Sequence, residues 1–118
     1  MTEERRRRWR FYETRAGARP VRDFLESLSD VDAAAVLQEM RNVASLGLNE
    51  ARHLRGDIYE VRANGDKKAF RVLFALEGRR GQILLALEGF SKKSLQTPPQ
   101  TLELAARRLA DWRDRARR

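Results

Sequence analysis

Ile58-Tyr59-Glu60-Val61-Arg62-Ala63-Asn64-Gly65-Asp66-Lys67-Lys68-Ala69-Phe70-Arg71-Val72-Leu73-Phe74 is the stretch that decides the fold. Runs in which apolar and charged residues alternate flank Asn64-Gly65, the dipeptide that most favours a two-residue hairpin loop because both residues tolerate positive φ. With that loop, Ala63 faces Asp66, Arg62 faces Lys67, Val61 faces Lys68, Glu60 faces Ala69 and Tyr59 faces Phe70. Side chains alternate along a strand, so Tyr59, Val61, Phe70, Val72 and Phe74 share one face, and that face is the core against which helices must pack. The opposite face collects Glu60, Arg62, Lys67 and Arg71, charges that cannot be buried without partners.

Downstream, Gly78-Arg79-Arg80-Gly81 makes a turn, and Ile83-Leu84-Leu85-Ala86-Leu87 is apolar on both faces, as in a strand inside a sheet. That strand ends at Glu88-Gly89-Phe90-Ser91-Lys92-Lys93. Thr97-Pro98-Pro99-Gln100 then has the form of a capping box with proline at the first helical position, and Leu102, Ala105, Ala106, Leu109 and Trp112 form an apolar stripe that carries a last helix to about Arg113. Glu103 near its start and the arginines at its end suit the helix dipole. Upstream, Trp9-Arg10-Phe11-Tyr12-Glu13-Thr14 suits a first strand ended by Gly17. Pro20 opens a short helix whose stripe is Val21, Phe24, Leu25 and Leu28. Ser29 caps a second, with Asp32 three residues on and Ala33, Val36, Leu37, Met40, Val43 and Ala44 on its buried side up to Gly47.

A chain of 118 residues suits a single domain, 1–118, with basic ends at about 1–8 and 114–118. No stretch reaches the length of a membrane-spanning helix, and Met1 to Arg10 carries five arginines without the apolar block of a secretory signal, so a cytoplasmic location is expected. Having no cysteine and one histidine excludes a disulfide framework, a thiolate site and a nitrogen cluster for metal, and no cofactor is implied. The net charge of +8 attracts polyanions, nucleic acid first among them. Arginine supplies 21 of the 25 basic residues, and an Arg-rich habit of the source genome produces the same excess.

Leu54-Arg55-Gly56-Asp57-Ile58-Tyr59-Glu60-Val61-Arg62, then Phe70-Arg71-Val72-Leu73-Phe74, then Gly89-Phe90-Ser91-Lys92-Lys93 and Thr97-Pro98, resembles the phage-derived HigB-like branch of the RelE/ParE toxin superfamily. The pattern runs from about Pro20 to Trp112. The resemblance implies an α+β fold similar to microbial ribonucleases: a twisted antiparallel sheet with the N-terminal helices and the C-terminal helix packed on one face, and RNA on the other. It implies a toxin of a type II toxin–antitoxin system that cleaves messenger RNA, commonly on the ribosome, and a co-encoded antitoxin that often carries a helix-turn-helix domain. Carried over by motif, Arg62, Arg71, Lys92 and Lys93 match the basic positions of the active surface, and Phe90 matches an aromatic beside them. Glu88 stands where many members have histidine, and Phe70 where many have tyrosine.

Metal-free RNA cleavage needs a base for the ribose 2′-hydroxyl, an acid for the leaving 5′-oxygen and cations for the charge developing on phosphate. Arg71, and secondarily Arg62, suits phosphate clamping because a planar guanidinium holds two oxygens at once. Lys92 and Lys93 are the proton-transfer candidates, and Glu60 either orients Arg71 or acts as a base itself. Phe90, Lys67 and Glu88 complete the RNA-binding set. Spacing alone favours a solvated sheet face with weak cross-strand ion pairs for Glu60, Arg62 and Arg71, and also describes a solvated loop for the two lysines and a lid on the core for Phe90; the family pattern tips the first set toward a site. His53 fits a histidine in the connection before the hairpin and is left out of the set. Two other functions remain open: a gyrase poison of the ParE kind, and a non-catalytic domain that binds RNA or antitoxin.

Overall fold

The computed structural model describes residues 7–92 and 96–117. Lys93 and the basic residues before Arg7 lie outside them. The chain runs β1 (Arg8–Phe11), α1 (Pro20–Glu26), α2 (Asp30–Leu46), a 3-10 turn (Leu48–Glu50), β2 (Arg52–Arg55), β3 (Ile58–Asn64), β4 (Ala69–Glu77), β5 (Ile83–Lys92) and α3 (Pro99–Ala116). Local chemistry starts α1 and α2 and stops α2 as expected. Pro20 is the first residue of α1, the Ser29 hydroxyl accepts the Asp32 N–H at 3.1 Å, and Gly47 at φ 108° ends α2 with its N–H on the Val43 carbonyl. Among the described residues no helix is long and apolar enough to cross a membrane.

The strands form one five-stranded sheet in the order β1-β5-β4-β3-β2. The α+β class holds, with two corrections to the expected architecture. First, the sheet is mixed: β1 lies parallel to β5, pairing Arg8 with Ile83 through Phe11 with Ala86, while the other pairs are antiparallel. A hairpin cannot join such neighbours, and the crossover between them carries α1, α2 and β2 to β4. Second, the helices occupy both faces. Val21, Leu25, Val36, Met40 and Val43 of α1 and α2 pack on Val61, Ala63, Phe70, Val72, Phe74, Leu84 and Ala86. Ala105 and Leu109 of α3 pack on Tyr12, Ile58, Leu73, Ala75, Leu85 and Leu87, which alternate with the first set and so face the other way. The reason is the two-sided apolarity of β4 and β5: their second face would otherwise stand in water at a cost of roughly 2 kcal/mol for each large side chain. Polar ties fix α3 there. The Tyr12 hydroxyl donates to Asp111 at 2.6 Å, and Arg113 donates to Glu77 at 2.7 Å and to Asp57 at 2.9 Å.

The β3–β4 hairpin forms, but its turn is displaced. Arg62 lies opposite Arg71, Val61 opposite Val72 and Tyr59 opposite Phe74, and the Gly65 N–H donates to the Lys68 carbonyl, so Asp66 and Lys67 make the loop. This register sets apolar against apolar where the expected one set Val61 against Lys68. A carboxylate from another element also holds it, because Asp32 Oδ1 accepts the Asp66 N–H at 2.8 Å. The slip is even, so the paired strand residues keep their expected faces, whereas Lys67, expected on the charged face, falls in the turn and leaves it.

A bulge interrupts the β4–β5 ladder. Phe74 pairs with Ala86 but Leu73 pairs with Glu88, leaving Leu87 as an extra residue in β5. Beyond it, Gly89 turns toward α1, and a Cβ built there would collide with the Phe24 ring, reaching 2.8 Å from its Cγ and Cε2. The ring itself stands against Phe70 at 6.2 Å between centroids and has little room to yield. Gly89→Ala is therefore expected to cost about 1–3 kcal/mol through displacement of α1. A lowered urea midpoint at unchanged slope would show it, and an unchanged midpoint would contradict the packing.

Candidate active site

Pairing places Glu60, Arg62, Arg71, Glu88, Phe90 and Lys92 on the face that α3 shares. Arg52, Glu60, Leu73 and Glu88 follow one another across β2, β3, β4 and β5, and in the next row Arg62, Arg71 and Phe90 do the same. Lys92, opposite Ala69, stands one row further along on that side. The bulge at Leu87 makes this possible, because it brings Phe90 and Lys92 round to the face of Arg71. The α3 helix begins at Pro99 and covers the other half of the face, over Leu73, Ala75, Leu85 and Leu87.

Depth within the cluster is graded. Arg52 and Arg62 are exposed, the Arg71 side chain is 12% exposed, and Glu60 is 1% exposed, a buried charge. Arg71 Nε stands 3.8 Å from Glu60 Oε1, an ion pair longer than a hydrogen bond, and neither atom has a hydrogen-bond partner among the described residues. The Arg71 Nη1 donates to the Phe70 carbonyl at 2.8 Å, and the Thr97 hydroxyl donates to Glu60 Oε2 at 2.7 Å. Burial lowers the Arg71 pKa from its ordinary value. Glu60 opposes that shift, and the positive charges of Arg62 and Arg52 add to it.

Arg62 and Arg71 sit directly opposite each other, and like charges in that relation are destabilising. A single buried carboxylate, Glu60, stands beside Arg71 to offset them, leaving an excess of positive charge that a bound phosphate would neutralise. The two guanidinium groups differ in exposure and anchoring. Arg71 is held by its backbone and by Glu60, whereas Arg62 reaches into solvent. The pair thus combines a fixed donor with an adaptable one.

The other expected residues divide. Phe90 packs into the α3-side cluster with Leu54, Leu102 and Trp112. Glu88 accepts from Arg108 Nη1 at 3.0 Å, and the same nitrogen donates to the Leu87 carbonyl at 2.7 Å, so this carboxylate docks α3 onto the bulge. Lys67 sits in the displaced turn, beside a groove of about 800 Å³ lined by Phe24, Leu28, Val31 and Asp32 on the α1–α2 side, and is separated from Arg71 by the sheet. Lys93 is outside the described residues. Arg52 and Thr97 join the site without having been singled out for it. Arg52 belongs to β2, where the sequence suggests a connection. Thr97 has the sequence pattern of a helix cap, yet the cap position of α3 is Pro98, with no side-chain capping bond, and the hydroxyl goes to Glu60. His53, also in β2, is bonded through Nε2 to the Gly56 carbonyl at 2.8 Å and packs edge-on to Tyr59.

Residues 23–110, well over half of the chain, match the family described as phage derived protein Gp49-like (DUF891). The chain is also similar to proteins named probable endoribonuclease HigB1 from two Mycobacterium tuberculosis strains, CDC 1551 / Oshkosh and ATCC 25618 / H37Rv. Identity to each is 33% over 108 residues, covering 89% of this chain and 84% of the relative. With its family pattern spread over β2, β3, β4, β5 and α3, the chain belongs to the phage-derived Gp49-like family of HigB-type toxins.

Proposed function

We propose that this protein is the toxin of a type II toxin–antitoxin pair and acts as a metal-independent endoribonuclease on messenger RNA, in the cytoplasm and in association with the ribosome. The observation that carries the reading is Arg62 directly opposite Arg71, with Arg71 anchored beside the buried Glu60. The similarity to proteins named probable endoribonuclease supports it. In this reading the ribose 2′-oxygen attacks the adjacent phosphorus and the bond to the 5′-oxygen breaks, leaving a 2′,3′-cyclic phosphate and a 5′-hydroxyl. Arg71 and Arg62 bind the non-bridging oxygens and stabilise the charge that builds on them. Of Lys92 and Lys93, one in its neutral form takes the 2′-hydroxyl proton and the other, protonated, gives a proton to the leaving 5′-oxygen. Glu60, buried and bonded on one oxygen, suits orienting Arg71 better than receiving a proton from substrate. Arg52, Phe90 and Lys92 extend the surface that follows the RNA strand. The partner that silences the toxin is a cognate antitoxin, which we propose carries a helix-turn-helix domain.

The test is incubation of the purified protein with messenger RNA, with and without ribosomes, in excess chelator, followed by mapping of RNA ends. New 5′-hydroxyl ends within coding sequence are the expected result. Intact transcripts accompanied by double-strand DNA breaks on induction in cells would replace this reading with gyrase poisoning. Binding to RNA without any cleavage would leave a non-catalytic domain.

A further inference from the structure

We infer that Thr97 is a positioning residue of the active site, which acts by orienting the Glu60 carboxylate and, through it, the Arg71 guanidinium. The inference rests on the proposed RNA-cleaving role of that surface and names a part of it that no motif assigns.

Thr97 has the sequence setting of a helix cap, yet α3 does not use it. The Thr101 and Leu102 N–H groups both donate to the Pro98 carbonyl, and the Thr97 hydroxyl crosses to Glu60, 37 residues away in sequence, at 2.7 Å. A carboxylate with 1% exposure needs donors, and this one has a neutral hydroxyl on Oε2 and a cation 3.8 Å from Oε1. The last torsion of a glutamate side chain is broad, so the carboxylate plane is not set by the chain itself. The bond from Thr97 sets it. With Oε2 held, Oε1 is directed at Arg71 Nε, and the guanidinium plane is fixed between that oxygen and the Phe70 carbonyl at Nη1.

The consequence for chemistry is geometric. Arg71 must present its fork to a phosphate whose negative charge grows during reaction, and a misplacement of about 1 Å in a group of this kind costs about a hundredfold in rate. Thr97 thus joins the start of α3 to the cation on β4, with Glu60 of β3 as the link. It has no need to touch RNA.

The decisive variants are Thr97→Val, which keeps the shape and removes the hydroxyl, and Thr97→Ser, which keeps the hydroxyl. T97V is expected to lower kcat about 10- to 100-fold with KM unchanged, and T97S to restore most of the rate. In a Glu60→Gln background, T97V should add little, because the route through the carboxylate is already broken. A second readout is independent of turnover: the Arg71 Nε–H resonance should shift and broaden in T97V and return in T97S. Should T97V fail to fold, the wild-type protein still decides through the Thr97 hydroxyl proton, which must exchange slowly if the bond to Glu60 is formed. Equal kcat in T97V and wild type, an unmoved Arg71 resonance, or a freely exchanging Thr97 hydroxyl would each overturn the inference. If the wild type does not cleave RNA, the functional reading fails, and the resonances alone judge the role of Thr97.

Discussion

Replacing Arg71 with Ala is expected to lower RNA cleavage roughly 10²- to 10³-fold, the usual loss when one preorganised donor to a developing oxyanion is removed. A second effect accompanies it. Glu60 would keep its burial and lose the cation at 3.8 Å, and stripping one partner from a buried ion pair costs about 3–5 kcal/mol. Residual exposure of Arg71 puts the expectation near the lower end of that range. The two effects separate in Arg71→Lys, which retains a positive charge near Glu60 but lacks the planar fork that binds two phosphate oxygens. This variant should recover most of the stability and little of the activity. Single-turnover cleavage and urea denaturation measure the two quantities on the same samples. Wild-type cleavage by Arg71→Ala would eliminate the proposed site.

Phe74→Ala carries the largest expected effect on folding alone. Phe74 has no solvent exposure and lies in β4, between β3 and β5, with its ring 5.0 Å edge-on from Trp9 and 5.6 Å stacked from Tyr59. Those neighbours are themselves anchored, Trp9 by a 2.7 Å bond from its indole N–H to the Met40 carbonyl, so they cannot collapse into the void. The expected cost is about 3–5 kcal/mol, a large part of the roughly 5–15 kcal/mol that holds a domain folded. A fall of about 12–20 °C in Tm follows for a chain of this size. A change below about 1 kcal/mol would mean that the ring is not part of the core.

Periodicity and punctuation made most elements legible. Pro20 and Ser29 placed helix starts correctly because proline and hydroxyl caps act within one turn of backbone. Alternation between Ile58 and Phe74 identified both strands and both faces. The turn was misplaced because Asn64-Gly65 is a local preference, whereas the bond from Asp66 to Asp32 and the match of Val61 with Val72 are tertiary. Burial of the whole hairpin outweighed a preference confined to two residues. The side taken by α3 was not legible from its own stripe, since an amphipathic helix shows that it covers something without showing what. The informative sign lay elsewhere, in a strand apolar on both faces, which requires a cover on each.

The charged cluster was legible for a related reason. A register slip by an even number of residues leaves faces intact, so Glu60, Arg62 and Arg71 came out together despite the wrong partners. Arg52, which pairs with Glu60 across β2 and β3, and Thr97, which bonds to its carboxylate, escaped because each belongs to a segment whose local reading pointed elsewhere, a connecting loop for one and a helix cap for the other.

Leu87 sets the phase of everything that follows it in β5. Upstream, even-numbered positions belong to the α1–α2 core, and downstream the parity is inverted, so a single strand serves as structural wall in its first half and carries part of the proposed active surface in its second. Loss of one residue there would rotate Phe90 and Lys92 by half a pleat, toward Phe24, without altering a single side chain of the site. Relatives that keep both lysines but lack that extra residue would carry the same motif with its chemistry turned inward.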